Sequence, residues 1–181
     1  MKHLSFLLGL VLCLAACKDD DTVEPGTTEL SLDIVTGLQA RDINGAPIGQ
    51  LGNPNTLAGE VDIFPNPALG SANIQYFGGA SLQVVQYWIF PADQNTDFAS
   101  VNFSTLLNND TYSADEISDL NVTQTNLVNL SAFAITLDDF SAGYYRIFYL
   151  MSDETLLWDN IYVDPSASSP SDLLNQVTED W

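Results

Sequence analysis

The sequence predicts an all-β chain built as one antiparallel β-sandwich. Its apolar residues fall in short runs rich in Val, Ile, Tyr, Phe and Trp, each bounded by Gly, Pro, Asn or Asp. Several of these runs alternate apolar and polar residues with the period of two that marks a half-buried strand. No apolar stretch of helical period is long enough to serve as a crossover helix between parallel strands, which favours a sandwich over an α/β sheet.

The elements follow in order. In "LSLDIV", Leu30, Leu32 and Ile34 alternate with Ser31 and Asp33, so ordered structure is expected to start at residue 30. Asn44-Gly45 is placed to turn "LQARDI" back on "APIGQL", since both residues tolerate positive φ. "GNPN" at 52–55 breaks the chain again. Then come "EVDIF" ending at Pro65, "SANIQYF" ending at Gly78-Gly79, and "LQVVQYWIF" ending at Pro91. Residues 93–129 are rich in Asn, Asp, Ser and Thr and read as a long polar insertion packed loosely on the sandwich. Within it, Ser113 and Glu116 have capping-box spacing and open a short helix to about Leu120. "FAITL", "GYYRIFYL" and "TLLWDNIYV" supply the closing strands. Residues 165–181 form an acidic Ser/Pro tail expected to be mobile, unless Leu173, Leu174, Val177 and Trp181 dock as a short helix.

The start of the chain reads as an address. Lys2 and His3 precede the apolar run Leu4–Leu14, which is too short for the roughly 20 residues a bilayer span needs. Leu14-Ala15-Ala16-Cys17 resembles a bacterial lipobox, a branched residue and two small ones before the cysteine that is acylated. The resemblance implies a signal peptide over 1–16, cleavage before Cys17 and an outer-membrane lipid partner held by acyl chains, each contributing about 0.8 kcal/mol per buried CH2. The alternative is an ordinary signal peptide with incidental cysteines. Lys18, Asp19 and Asp20 resemble the Bacteroidota-type export signal that carries lipoproteins to the cell surface; a plain acidic linker is the other reading. Residues 17–29 are then a lipidated flexible tether. Asp21-Thr22-Val23 resembles a short O-glycosylation acceptor of the same bacteria.

A second resemblance rests on Phe64-Pro65-Asn66-Pro67 with Gly70, on Ile89-Phe90, on "LDDFSAGYYRIFY" at 137–149 and on "ETLLWDNIYV" at 154–163. Together these resemble the C-terminal sorting domain of type IX secretion cargo, across most of 60–164. That resemblance implies a small immunoglobulin-like sandwich. The expected domain is therefore a single immunoglobulin-like antiparallel β-sandwich over 30–164, with the insertion and the tether. The chain departs from the family pattern in the residues that follow 164, in the N-terminal lipid signal and in the 93–129 insertion.

Composition narrows the chemistry. The chain of 181 residues carries 24 acidic residues against 4 basic ones, a formal net charge of -20, so a nucleic-acid partner is not expected. His3 is the only histidine and lies in the signal segment. Without histidine or a free thiol the mature chain has no Ser-His-Asp or Cys-His nucleophile and no ordinary zinc site. No Gly-rich phosphate loop is present, and no catalytic, metal or cofactor residue is assigned. Asp138-Asp139, Asn108-Asn109-Asp110 and Asp19-Asp20-Asp21 offer oxygen ligands, but none has the spaced pattern of a calcium loop, and solvated turns are the favoured reading.

A candidate binding face remains. Trp158, Asn160 and Tyr162 share one side of the closing strand, and in "GYYRIFYL" Tyr144, Arg146 and Phe148 alternate with Tyr145, Ile147 and Tyr149. If exposed, they form an aromatic platform with one cation, suited to a glycan or protein partner; if buried, they fill the core. Three functions follow: a non-enzymatic lipid-anchored accessory or interaction module, a small carboxylate-dependent polysaccharide hydrolase, or a structural envelope subunit or type IX cargo-like protein. Replacing the acylated thiol tests the anchor. Cys17→Ala is expected to move the protein from the membrane fraction to the soluble fraction, and retention in the membrane would refute it.

Overall fold

The computed structural model describes residues 34–79, 81–96, 113–118 and 122–181. The longest strands form where β-branched and aromatic residues are densest: β6 (Val84–Gln94), β9 (Gly143–Met151) and β10 (Leu156–Val163). The remaining elements are β1 (Ile34–Val35), β2 (Gly37–Arg41), β3 (Pro47–Gly52), β4 (Val61–Phe64), β5 (Ser71–Tyr76), β7 (Gln124–Leu130) and β8 (Ala132–Thr136), with helices α1 (Ala114–Ser118) and α2 (Pro170–Glu179).

These strands make two principal sheets and a hairpin. β4, β5 and β8 form an antiparallel sheet in that order. The larger sheet runs β1-β6-β9-β10, with β7 also paired to β6. β2 and β3 form the hairpin, and its turn is the expected one: Gly45 has φ 84°, and Asp42 Oδ1 accepts from the amides of Asn44 and Ala46. Val61, Ile63, Ala72, Ile74 and Ile135 from the small sheet meet Ile89, Ile147, Tyr149, Ile161 and Val163 from the large one in a single buried cluster. The sheets thus bury one face each against the other.

Several expectations need correction. The large sheet is mixed, not antiparallel throughout, because β1 pairs in parallel with β6 through Ile34↔Asp93 and Val35↔Gln94. Pro91 does not end its strand. Ile89 O accepts from Thr123 N, so by alternation the edge of Pro91 that lacks an N–H faces the gap between β7, which pairs up to Ile89, and β1, which starts at Asp93. The 93–129 stretch is not a loose excursion at either end: β6 runs on to Gln94, and Gln124–Leu130 is a strand of the sheet. The polar composition of 124–130 reflects the exposed side chains of β7. The capping-box helix is present as α1, with Ile117 fully buried, while its expected end at Leu120 lies outside the described residues.

The acidic tail is likewise part of the fold. Ser169 caps α2 by accepting from Asp172 N, Pro170 stands in the first turn, and Asp172 accepts from the hydroxyls of Ser168 and Ser169. The Ser/Pro run is helix-start chemistry. Leu173 and Val177 are fully buried, and Trp181, one further turn along the same stripe, packs edge-on against Tyr144. Leu173→Ala is expected to destabilise the full chain by about 2–5 kcal/mol, read as a lowered urea midpoint. An unchanged midpoint would mean that the tail is uncoupled from the domain.

Candidate functional site

β9 and β10 pair along their whole length, with Trp158 opposite Phe148, Asn160 opposite Arg146 and Tyr162 opposite Tyr144. The residues expected to share one face do share it. That face is not open, however: Arg146 and Asn160 are 0% exposed, Trp158 3% and Tyr162 6%. The expectation of an exposed aromatic platform is therefore corrected. The large sheet is covered on its second side as well, by the segment from β1 through Leu57 and by both helices. α1 contributes Ile117 against Trp88, Phe90, Phe148 and Trp158, and α2 contributes Leu173 and Val177 beside Tyr144 and Tyr162.

Each of the four residues grips this cover. Arg146 Nε donates to Asn160 Oδ1 at 3.2 Å, and Nη2 donates to the carbonyl of Ile34. Asn160 Nδ2 donates to the carbonyls of Gly37 at 3.1 Å and Pro54 at 2.7 Å. Trp158 Nε1 donates to Asn55 O at 3.1 Å, and the Trp158 backbone exchanges both bonds with Leu57. The Tyr162 hydroxyl accepts from Gln176 Nε2 of α2 at 3.3 Å. The platform thus binds in cis: Arg146, Asn160 and Trp158 hold carbonyls of the chain's own N-terminal segment, and Tyr162 holds α2. Gly37 is required there, because a Cβ at that position would lie 2.4 Å from the carbonyl carbon of Asn53.

Sequence reasoning gave Asn66 no role beyond its place in the Phe64–Pro67 resemblance. It lies between two prolines just after a strand, yet it is fully buried and joins β2 to β10. Its Nδ2 donates to Gln39 O at 3.1 Å and Asn160 O at 2.8 Å, its Oδ1 accepts from Tyr162 N, and its backbone exchanges two bonds with Arg41. The only available signal was an amide side chain within an otherwise apolar Pro-flanked run.

A second polar group lies between the sheets. Arg41 pairs with Asp62 through a short ion pair, near buried Asp159 and Tyr149. Burial pushes the Asp159 carboxyl up to about 7, against the hydrogen bond from Asn160 N and the Arg41 charge, which both lower it; Asp62 raises it further and Arg146 lowers it. Burial also raises the Tyr149 phenol well above its usual range, with the Asp159 charge adding to the effect. Asp138 and Asp139 are exposed turn residues. Among the described residues no group of three or more His, Cys, Asp or Glu side chains is placed to hold a metal ion. Cys17, Lys18, Asp19, Asp20 and Asn108-Asn109-Asp110 lie outside the described residues.

No family model matches the chain, and no curated protein does. Among solved structures it shows a partial likeness to a DUF3244-family protein with an immunoglobulin-like β-sandwich fold from Bacteroides vulgatus, at 8% identity and a TM-score of 0.34. The match covers 57% of this chain and 83% of that one. At that score nothing about this chain follows from it.

Asp159 makes stability depend on pH in a definite sense. Its folded-state pKa of about 7 lies above its ordinary 3.8, so the native state binds the proton more tightly than the unfolded chain. Above about pH 7 the buried carboxylate destabilises the fold by on the order of 4 kcal/mol, and this penalty is relieved as pH falls towards about 4. Asp159→Asn is expected to be more stable than wild type near about pH 8 and to show a shallower change in melting temperature on acidification. Parallel pH profiles for the two proteins would contradict this.

Proposed function

We propose that the chain is a non-enzymatic surface lipoprotein, anchored in the outer membrane by acylated Cys17, in which an immunoglobulin-like domain is held at the end of a short tether as an interaction or structural module. The reading is supported by how β1, the described strand nearest Cys17 in sequence, is held: Ile34 pairs with β6, and its carbonyl accepts from buried Arg146. A domain gripped at that end suits attachment through its N-terminal side.

Consumption of Trp158 and Tyr162 in the interior argues against glycan stacking on that face and favours a protein partner. Arg41 and Arg146 are the basic residues of the described chain, and both side chains are turned inward, with 14% and 0% exposure. Among the described residues the charges left at the surface are acidic, which fits a partner that presents basic or uncharged groups.

Labelling intact cells with a membrane-impermeant reagent tests the reading. The wild-type chain should be labelled on whole cells, and replacing Lys18, Asp19 and Asp20 together by Ala should sharply reduce the labelled fraction while leaving the protein in membranes. Labelling that appears only after lysis would overturn surface display. Polysaccharide cleavage abolished by substitution of one carboxylate would overturn the non-enzymatic reading.

A further inference from the structure

We propose that Arg41 Nη1, Tyr149 Oη and Asp159 Oδ2 together form a binding site for one internal water molecule between the two sheets. These three atoms are buried, and among the described residues none has a hydrogen-bond partner. Buried polar atoms are satisfied in the great majority of cases, by protein or by ordered water, so three unmet atoms in one region need a common explanation.

Topology brings them together. Tyr149 lies opposite Leu157 across the β9–β10 pair, and Asp159 is the next residue of β10 on the same face, the one shared with Ile147 and Ile161. Such diagonal neighbours are about 7–8 Å apart, a separation that a tyrosine and one bridging molecule can close. Arg41 enters from β2. Its backbone is fixed by paired bonds to Asn66, and its Nη2 is engaged by Asp62 on β4, which leaves Nη1 for the interior. The charges of Arg41 and Asp62 act on both Asp159 and Tyr149, and that of Asp159 acts on Tyr149, so the four groups share one field. Asp62, 27% exposed, is the most open of the four groups.

The donor pattern selects the ligand. A guanidinium nitrogen only donates, a carboxyl oxygen accepts when ionised and can donate when protonated, and a phenol does either. Water accepts from Arg41 and, being both donor and acceptor, pairs with Asp159 in either protonation state and with Tyr149 in whichever sense remains. A cation would meet the Arg41 charge, and an anion would meet Asp159 and Asp62. Val61, Ile63, Ile147 and Ile161, all fully buried in the same cluster, are apolar and offer no polar partner to a larger guest. The Asp159 Oδ1 atom is already engaged by Asn160 N at 2.8 Å, so Oδ2 is the oxygen the water would serve.

Two measurements on the full chain decide the matter. An atomic-resolution crystal structure should show a single density peak within about 2.7–3.2 Å of all three atoms. In solution, water magnetic relaxation should count one fewer long-lived water in Tyr149→Phe/Asp159→Asn than in wild type. The double variant's shift in urea midpoint should also differ from the sum of the single shifts, because both partners serve the same molecule. A direct Tyr149–Asp159 or Arg41–Asp159 hydrogen bond in the density would overturn the proposal. So would an ion at the site, or an unchanged count of long-lived waters. If Asp159→Asn does not fold, Tyr149→Phe alone carries the count.

Discussion

The structure depends on one buried polar chain, Arg146 to Asn160 to Asn66, that ties the N-terminal segment to the large sheet. A guanidinium removed from water needs partners, and here Nε donates to the Asn160 amide oxygen and Nη2 to the Ile34 carbonyl. The two asparagines extend the same logic. Their amides bind the carbonyls of Gly37 and Gln39 on β2 and of Pro54 in the irregular stretch after β3. Without this network the apolar cover contributed by Val35 and Leu38 would have no fixed register on the sheet.

That network explains why aromatic residues are so frequent on both sides of one sheet. A two-layer sandwich needs one apolar face per sheet and can leave the other wet. Here β9 and β10 are buried on both faces, so their sequences carry aromatics at successive positions, with Tyr145, Ile147 and Tyr149 toward the small sheet and Tyr144 and Phe148 toward the cover. Phe148 stacks with Phe90 at 5.5 Å and tilts against Trp158 at 6.0 Å, and Tyr144 meets Tyr162 and Trp181 edge-on. The third layer comes from three separate parts of the chain: the N-terminal hairpin, α1 and α2.

Charge is partitioned by the same architecture. Each described arginine holds two elements together from inside, Arg41 joining the hairpin to β4 and Arg146 joining β1 to β9 and β10. The two described basic groups are therefore structural, and among the described residues the exposed charges are acidic. Solubility and mutual repulsion of copies follow from composition. The inward placement of both guanidinium groups does not.

Local chemistry was legible in the sequence. Side-chain alternation placed Trp158, Asn160 and Tyr162 on one face, Asn44-Gly45 marked a hairpin turn, and Ser113 with Glu116 marked a helix start, because each depends on residues a few positions apart. The strand at 124–130 and the helix at 170–179 were obscured by polar composition, since an edge strand and an amphipathic helix need only a few apolar side chains to dock. What covers the second face of the sheet was decided by tertiary structure alone. The bonds that close it join Arg146 to Ile34 across 112 positions and Asn160 to Pro54 across 106, and periodicity within a strand carries no information about which distant carbonyl will complete it.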